Sequence, residues 1–117
     1  MFSIYADNSM KIIRGDSGGF EFTILEVVDG VETPYILEEG DVVTFTVKCS
    51  TRDKDAVMQK TGFQTDESTV YFAIAPEDTE ALRYGNYTFD IQFSKEDGYV
   101  DTLIPPTPFT VAEEVTF

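Results

Sequence analysis

The sequence predicts an all-β protein, an antiparallel β-sandwich of seven or eight short strands with one short helical turn. Three observations predict it: apolar and polar residues alternate in short runs, turn-forming residues separate these runs, and no long segment has the period of an amphipathic helix. With 117 residues, of which 42% are apolar, the chain has the size of one domain with its own core. Residues 1–117 are therefore expected to form a single domain, with a small closed barrel as the alternative architecture.

The clearest alternation begins at Gly85. Apolar residues at 87, 89, 91 and 93 alternate with polar ones, which is typical of a strand with one face in a core and the other in water. The same pattern occurs over residues 20–24, 43–49 and 70–74, and it makes Cys49 a small core residue. Shorter strands are expected at residues 11–14, 35–37, 99–104 and 109–115.

Turn signals lie between these segments. Asp29-Gly30 is expected to close a hairpin between the Phe20 strand and the segment at Tyr35. Residues 95–98 are expected to form a second hairpin loop. Three prolines at positions 105, 106 and 108 predict a kink that separates the last two strands. Pro76 followed by two acidic residues predicts a single helical turn there.

Tyr87 makes the predicted sandwich immunoglobulin-like. It follows the helical turn, opens a strand and precedes Phe89 by two residues, which is the arrangement of a tyrosine corner. Such a tyrosine buries its ring and hydrogen-bonds its hydroxyl to nearby backbone; the alternative is an ordinary core tyrosine. Phe89 stands where antibody domains have a disulfide cysteine, and the chain contains no tryptophan, so an antibody-type domain is not expected.

Composition argues against several classes of function. The net charge of −14 disfavours nucleic acid and anionic membranes as partners, since both require a cationic surface. The chain has no histidine and one cysteine, which removes the commonest general base, the histidine-dependent nucleophiles and multi-thiolate metal sites. We expect no enzyme, no cofactor and no metal site. The N-terminal residues lack a basic start and a long apolar run, so no signal peptide is expected.

Four residues are candidates for an interaction surface. Tyr71 and Tyr99 are expected to point outward from strands, where exposed aromatic rings mark a protein interface or a platform for sugars. Val115 and Phe117 belong to the C-terminal segment 113–117, which ends on an apolar residue. This segment is expected to be either a frayed tail or a strand that docks on a neighbouring sheet edge.

Several motifs also resemble a known family. They are residues 14–17 (RGDS), 39–48 (EGDVVTFTVK), 76–79 (PEDT) with Leu82, Tyr84, Gly85 and Tyr87, 90–92 (DIQ), 101–102 (DT) and 104–106 (IPP). Together they resemble the immunoglobulin-like N-terminal domain of tail baseplate upper proteins from phages and prophages of Gram-positive gut bacteria. The resemblance extends from about Ile12 to Val115, and its motifs are turn and strand signatures.

The resemblance implies a virion component that is made in the bacterial cytoplasm and assembles with other virion structural proteins or with itself. The sequence differs from the baseplate proteins because no long helix or receptor-binding platform follows the domain. Neck, tail and decoration positions therefore stay open beside the baseplate. The alternative function is a module that binds carbohydrate or a cell surface, which sandwich folds often do.

Overall fold

The computed structural model describes residues 1–113, and this part of the chain is mostly β with one short helix. The predicted all-β class and the predicted helical turn are confirmed. The strands are β1 (Phe2–Ile4), β2 (Met10–Ile13), β3 (Gly18–Thr23), β4 (Leu25–Val28), β5 (Val31–Pro34), β6 (Val42–Lys48), β7 (Met58–Thr61), β8 (Phe63–Gln64), β9 (Thr69–Ile74), β10 (Gly85–Ser94) and β11 (Val100–Ala112), and the helix is α1 (Pro76–Glu80). Val115 and Phe117 lie outside the described residues.

The strands form three sheets. A six-stranded sheet has the order β1-β2-β11-β10-β6-β7, a three-stranded sheet has the order β3-β9-β8, and β4 pairs with β5. β2 runs parallel to β11, so the larger sheet is mixed and not purely antiparallel as expected. The described chain has eleven strands instead of seven or eight, because short strands such as β1, β7 and β8 carry too few residues to show an alternation.

A cluster of phenylalanine rings joins the two larger sheets. Phe45 on β6 is fully buried, and its ring lies 5.3 to 6.0 Å from the rings of four other phenylalanines. These are Phe20, Phe72, Phe89 and Phe109. Phe20 and Phe72 belong to the three-stranded sheet, whereas Phe89 and Phe109 belong to the same sheet as Phe45. The alternating residues of β3, β6, β9 and β10 therefore form one common core, as the sequence predicts.

Two predicted positions differ in the structure. Cys49 is exposed, not a core residue, because β6 ends at Lys48 and the chain turns before the alternation reaches it. Residues 35–37 are not a strand. The hairpin at Asp29-Gly30 instead pairs β4 with β5, because both turn residues have positive φ angles of 51° and 78°, which fit the tight turn of a two-residue hairpin loop.

The prolines near the C-terminus do not end a strand. β11 runs without a break from Val100 to Ala112, so the predicted kink between two separate strands is wrong. Pro105 and Pro106 fit because they lie opposite Asp90, where the pairing of β10 with β11 shifts register. Ladder hydrogen bonds are interrupted at such a bulge, so a residue without an N–H group is tolerated there.

Tyr87 has the predicted geometry of a tyrosine corner. It is half-buried at the start of β10 and packs against the core, and its hydroxyl donates to the carbonyl oxygen of Arg83 at 2.7 Å. This bond ties the connection between α1 and β10 to the strand. No helix in the described part of the chain is long and apolar enough to cross a membrane.

The position of Phe45 predicts a large loss of stability when its ring is removed. We expect Phe45→Ala to lower the free energy of unfolding by about 3–5 kcal/mol, since the substitution opens a cavity that both sheets line. Phe63→Ala is the matched control, because Phe63 is 74% exposed and its truncation should change stability by less than about 0.5 kcal/mol. Urea denaturation of both variants measures the difference, and similar losses would contradict the assignment of Phe45 as the centre of the core.

Candidate interaction site on the open side of the two sheets

β11 has a free edge along its first half. On one side it pairs with β10 over nearly its whole length. On the other side, within residues 1–113, its partner β2 covers only residues Phe109 to Ala112. Residues Val100 to Ile104 therefore present backbone groups that no strand of the described chain occupies.

A second free edge runs along β3 and β4. β3 lies at the edge of its sheet, and Ile24 connects it to β4. The Ile24 N–H donates to Ser68 and the Ile24 carbonyl accepts from Tyr35, both at 2.9 Å. The N–H and C=O of an extended residue point to the same side, so the neighbours of β3 and β4 lie on one side of this chain segment. The opposite edge of both strands is left free within the described residues.

Recesses lie between the two free edges. One, of about 220 Å³, is lined by Ile24, Leu25 and Glu26 on one side and by Asp101 and Leu103 on the other. A second recess, also of about 220 Å³, shares Ile24, Leu25 and Leu103 with it and extends to Phe22. The two therefore continue into one another as a groove between β11 and the β3–β4 segment.

The groove continues toward the N-terminal strands. A third recess, of about 200 Å³, shares Phe22 with the second and reaches Ile104, Asn8 and Met10. Asn8 belongs to the turn between β1 and β2, where the Tyr5 N–H donates to the Ser9 carbonyl at 2.9 Å. We call the whole depression, from Tyr99 to Asn8, the open-side groove. The end of the groove near Asn8 lies beside Ile104 of β11, a part of the strand that β2 does not cover.

Apolar side chains form the floor of the open-side groove. Phe22, Leu103 and Ile104 are partly buried and pack against the core. Leu103 is the extra residue of a bulge, because Gln92 pairs with Thr102 and Ile91 pairs with Ile104. The bulge leaves Leu103 without a partner on β10, and its side chain lines two of the three recesses. An incoming apolar side chain would cover surface that the sheets leave exposed to solvent.

A partly buried hydrogen-bond network closes the end of the groove near Tyr99. Lys95 Nζ donates to the Tyr35 hydroxyl at 2.6 Å, and that hydroxyl donates to Asp41 Oδ2 at 2.8 Å. The backbone N–H of Glu38 donates to the same carboxylate oxygen at 2.9 Å. The network fixes the segment between β5 and β6 against the end of β10, so this end of the groove is held in place.

The network shifts the pKa values of its members. Burial alone raises the pKa of Asp41, whose side chain is 3% exposed, but the hydrogen bonds from Glu38 and Tyr35 and the charge of Lys95 outweigh burial and hold the pKa below its usual value. Burial raises the pKa of Tyr35, and the bond to Tyr35 raises the pKa of Lys95. The ammonium group of Lys95 is thus held by Tyr35 and Asp41.

Tyr71 and Tyr99 are both exposed, but they belong to different surfaces. Tyr71 lies on the outer face of the three-stranded sheet, beside Phe63 on β8, and its hydroxyl covers Gly19, where a Cβ atom would overlap it. Tyr99 is 53% exposed and lines the open-side groove at the β10–β11 turn. Of these two tyrosines, only Tyr99 therefore lies at the groove.

Sequence reasoning missed the main residues of the groove. Phe22 is part of a predicted core row, and nothing in the sequence shows that its side chain is only partly buried. The signal at Leu103-Ile104 is that two adjacent apolar residues break the alternation of a strand, which is a mark of a bulge. No group of three or more histidine, cysteine, aspartate or glutamate residues within residues 1–113 is placed to hold a metal ion.

No protein-family model matches this chain, and no curated protein matches its sequence. The geometry of the open side is therefore the basis for a functional conclusion. The sequence resemblance to phage proteins stays a prediction.

The network predicts a pH-dependent contribution of Asp41 to stability. We expect Asp41→Asn to lower the free energy of unfolding by about 1–3 kcal/mol at neutral pH, because hydrogen bonds to a neutral amide oxygen are weaker than those to a carboxylate and the attraction to Lys95 is lost. The pKa of Asp41 is lowered in the folded state, so its contribution is present above the unfolded pKa and is lost as the pH falls through the folded pKa.

The difference in free energy of unfolding between wild type and Asp41→Asn should therefore become smaller below about pH 4. Urea denaturation at several pH values measures this difference. The control is Asp55→Asn, since Asp55 is exposed and its substitution should change stability little. A difference that is constant from neutral to acid pH would contradict the role given to the Asp41 carboxylate.

Proposed function

We propose that this chain is a non-enzymatic binding module that takes part in assembly by accepting an extended segment of another polypeptide in the open-side groove. The observation that carries the proposal is the pair of free strand edges, on β11 and on β3–β4, with an apolar floor between them. Addition of a strand to an exposed sheet edge is a general mode of peptide recognition, in which backbone bonds supply affinity and alternate side chains supply specificity.

We further propose that the two larger sheets form an immunoglobulin-like sandwich, and that the module is a structural or assembly component of a phage or prophage virion, in a tail, baseplate or neck. The tyrosine-corner bond of Tyr87 supports the immunoglobulin-like arrangement. The sequence motifs that resemble baseplate domains support the virion role. The charge of −14 supports it as well, because self-repulsion keeps such a component soluble until it meets its partner.

Selection of short peptides from a random library on the immobilised chain tests the binding function. We expect selected peptides to bind the wild-type chain and to bind Leu103→Lys roughly tenfold more weakly or worse, because a lysine at this position places a charge in the floor of the groove. Isothermal titration of individual peptides measures both affinities.

Val31→Lys is the matched control, since Val31 is 60% exposed and lies on the β4–β5 hairpin beside the turn at Asp29-Gly30. It carries the same change of charge without touching the lining of the groove. Circular dichroism establishes that both variants are folded before binding is compared. Peptides that bind the wild type and Leu103→Lys equally well, or a selection that yields no binding peptides, would reject the proposed function.

Carbohydrate binding is the second candidate, and one surface favours it. Phe63 and Tyr71 are direct cross-strand partners on the three-stranded sheet, and they are 74% and 38% exposed. Two adjacent aromatic rings on an open sheet face offer a platform on which a sugar ring can stack, in the way that amphipathic aromatic side chains serve other binding surfaces.

A glycan array with the labelled chain tests this candidate. If the platform binds sugars, we expect Tyr71→Ala and Phe63→Ala each to abolish the signal, because each removes one ring of the platform. Tyr99→Ala should retain the signal, since Tyr99 lies at the groove and not on this face. An empty array, or a signal that survives both ring deletions, would rule the platform out.

A further inference from the structure

We propose that the occupant of the open-side groove is a basic extended segment of a different protein, in which apolar residues alternate with lysine or arginine. This inference rests on the proposed function and specifies the chemistry of the partner. Three properties of the groove lead to it: the direction of the free backbone groups, the spacing of the apolar floor, and the charge along the rim.

The backbone of β11 is ready to pair with an incoming strand. The Lys95 N–H donates to the Tyr99 carbonyl at 2.8 Å, and Ser94 then pairs with Val100 and Gln92 with Thr102. Hydrogen-bonded and non-hydrogen-bonded pairs alternate along an antiparallel ladder. Val100 and Thr102 therefore direct their N–H and C=O groups away from β10, toward the groove.

The opposite rim has the same property. Ile24 directs its backbone groups to the side of β9 and β5, so its neighbours Thr23 and Leu25 direct theirs to the groove. An extended segment between the two rims can receive backbone hydrogen bonds from either of them. Side chains of such a segment alternate between the apolar floor and solvent, which requires apolar residues at every second position.

The charge of the groove selects basic residues at the other positions. The residues that line it include three acidic ones, Glu21, Glu26 and Asp101. The one cation of the lining, Lys95, is engaged by Tyr35 and by Asp41, whose Oδ1 lies 3.6 Å from Nζ. Like charges placed across an interface are destabilising, whereas opposite charges select the partner and speed its encounter. A lysine or arginine between the apolar positions meets these carboxylates.

A second copy of this chain does not fit the same requirement. Within the described residues, a long exposed extended element is the β4–β5 hairpin, with apolar Leu25, Val27 and Val31 at 50% to 69% exposure. That hairpin carries Glu26, Asp29 and Glu32 beside these residues. Inserting it into an acidic groove would bring carboxylates together between two molecules that each have a charge of −14.

Three synthetic peptides test the inference on the intact chain: alternating Lys-Val, alternating Glu-Val, and a block peptide with the composition of the first but all lysines before all valines. We expect the alternating Lys-Val peptide to bind at least about tenfold more tightly than either of the others, with an affinity that falls as salt is added. NMR should show shifts and slowed hydrogen exchange at the amides of Val100 and Thr102.

Two variants locate the binding on the groove. Thr102→Pro removes an N–H group that points away from β10, so it leaves the β10–β11 ladder intact. It should lower the affinity for the alternating Lys-Val peptide roughly tenfold. Leu103→Lys should abolish binding, and Val31→Lys should not weaken it beyond the effect of one added positive charge. Thermal melts establish that each variant is folded.

The outcomes separate this inference from the proposed function. Equal binding of the alternating and block peptides would mean attraction by charge alone and would overturn the inference. Binding of alternating Glu-Val or of uncharged library peptides at Val100 and Thr102 would reject the basic partner and leave the groove function standing. Light scattering that detects dimers disrupted by Leu103→Lys would replace the basic partner with a second copy of this chain.

Discussion

The packing of Phe45 is the interaction on which the rest of the structure depends. Its ring contacts phenylalanines from both larger sheets, so it fixes the distance and the angle at which the sheets face each other. Once the sheets are held at this distance, β3 and the first half of β11 lie on the same side of the core with nothing between them in the described chain. The open-side groove is therefore a consequence of how the core is packed and of how short β2 is.

Sequence reasoning reached the parts of the fold that local chemistry determines. The apolar rows of β3, β6, β9 and β10, the helical turn at Pro76, the hairpin turns and the hydroxyl bond of Tyr87 follow from side-chain period and turn preference. Cys49 was misjudged because periodicity shows which face a residue occupies and gives no sign that the strand has ended. The prediction for the prolines of β11 was wrong because Pro105 and Pro106 lie in a bulge of β11 opposite Asp90. A bulge depends on how the two strands pair, which the sequence of one strand does not show.

The groove was harder to predict, because it depends on which strands do not pair. Leu103 and Phe22 resemble ordinary core residues in the sequence, and their exposure follows from the length of β2 and from the side on which β5 and β9 lie. Tyr99 was identified as an outward-facing aromatic residue, and the structure places it at one end of the groove. Tyr71 was identified for the same reason, but it lies over Gly19 on another face. Exposure can be inferred from a strand pattern, whereas proximity requires the topology.

The three prolines of β11 have a further consequence, since they limit how much of the free edge can pair with another strand. Positions 105, 106 and 108 offer no N–H group, so a continuous backbone ladder along this edge stops after Ile104. A short ladder of this kind forms few backbone hydrogen bonds. Exposed edges can lead to fibrils when strands of different chains pair, and prolines on an edge strand prevent such pairing. The same residues thus limit the length of a ladder along β11 and disfavour non-specific pairing at its exposed edge.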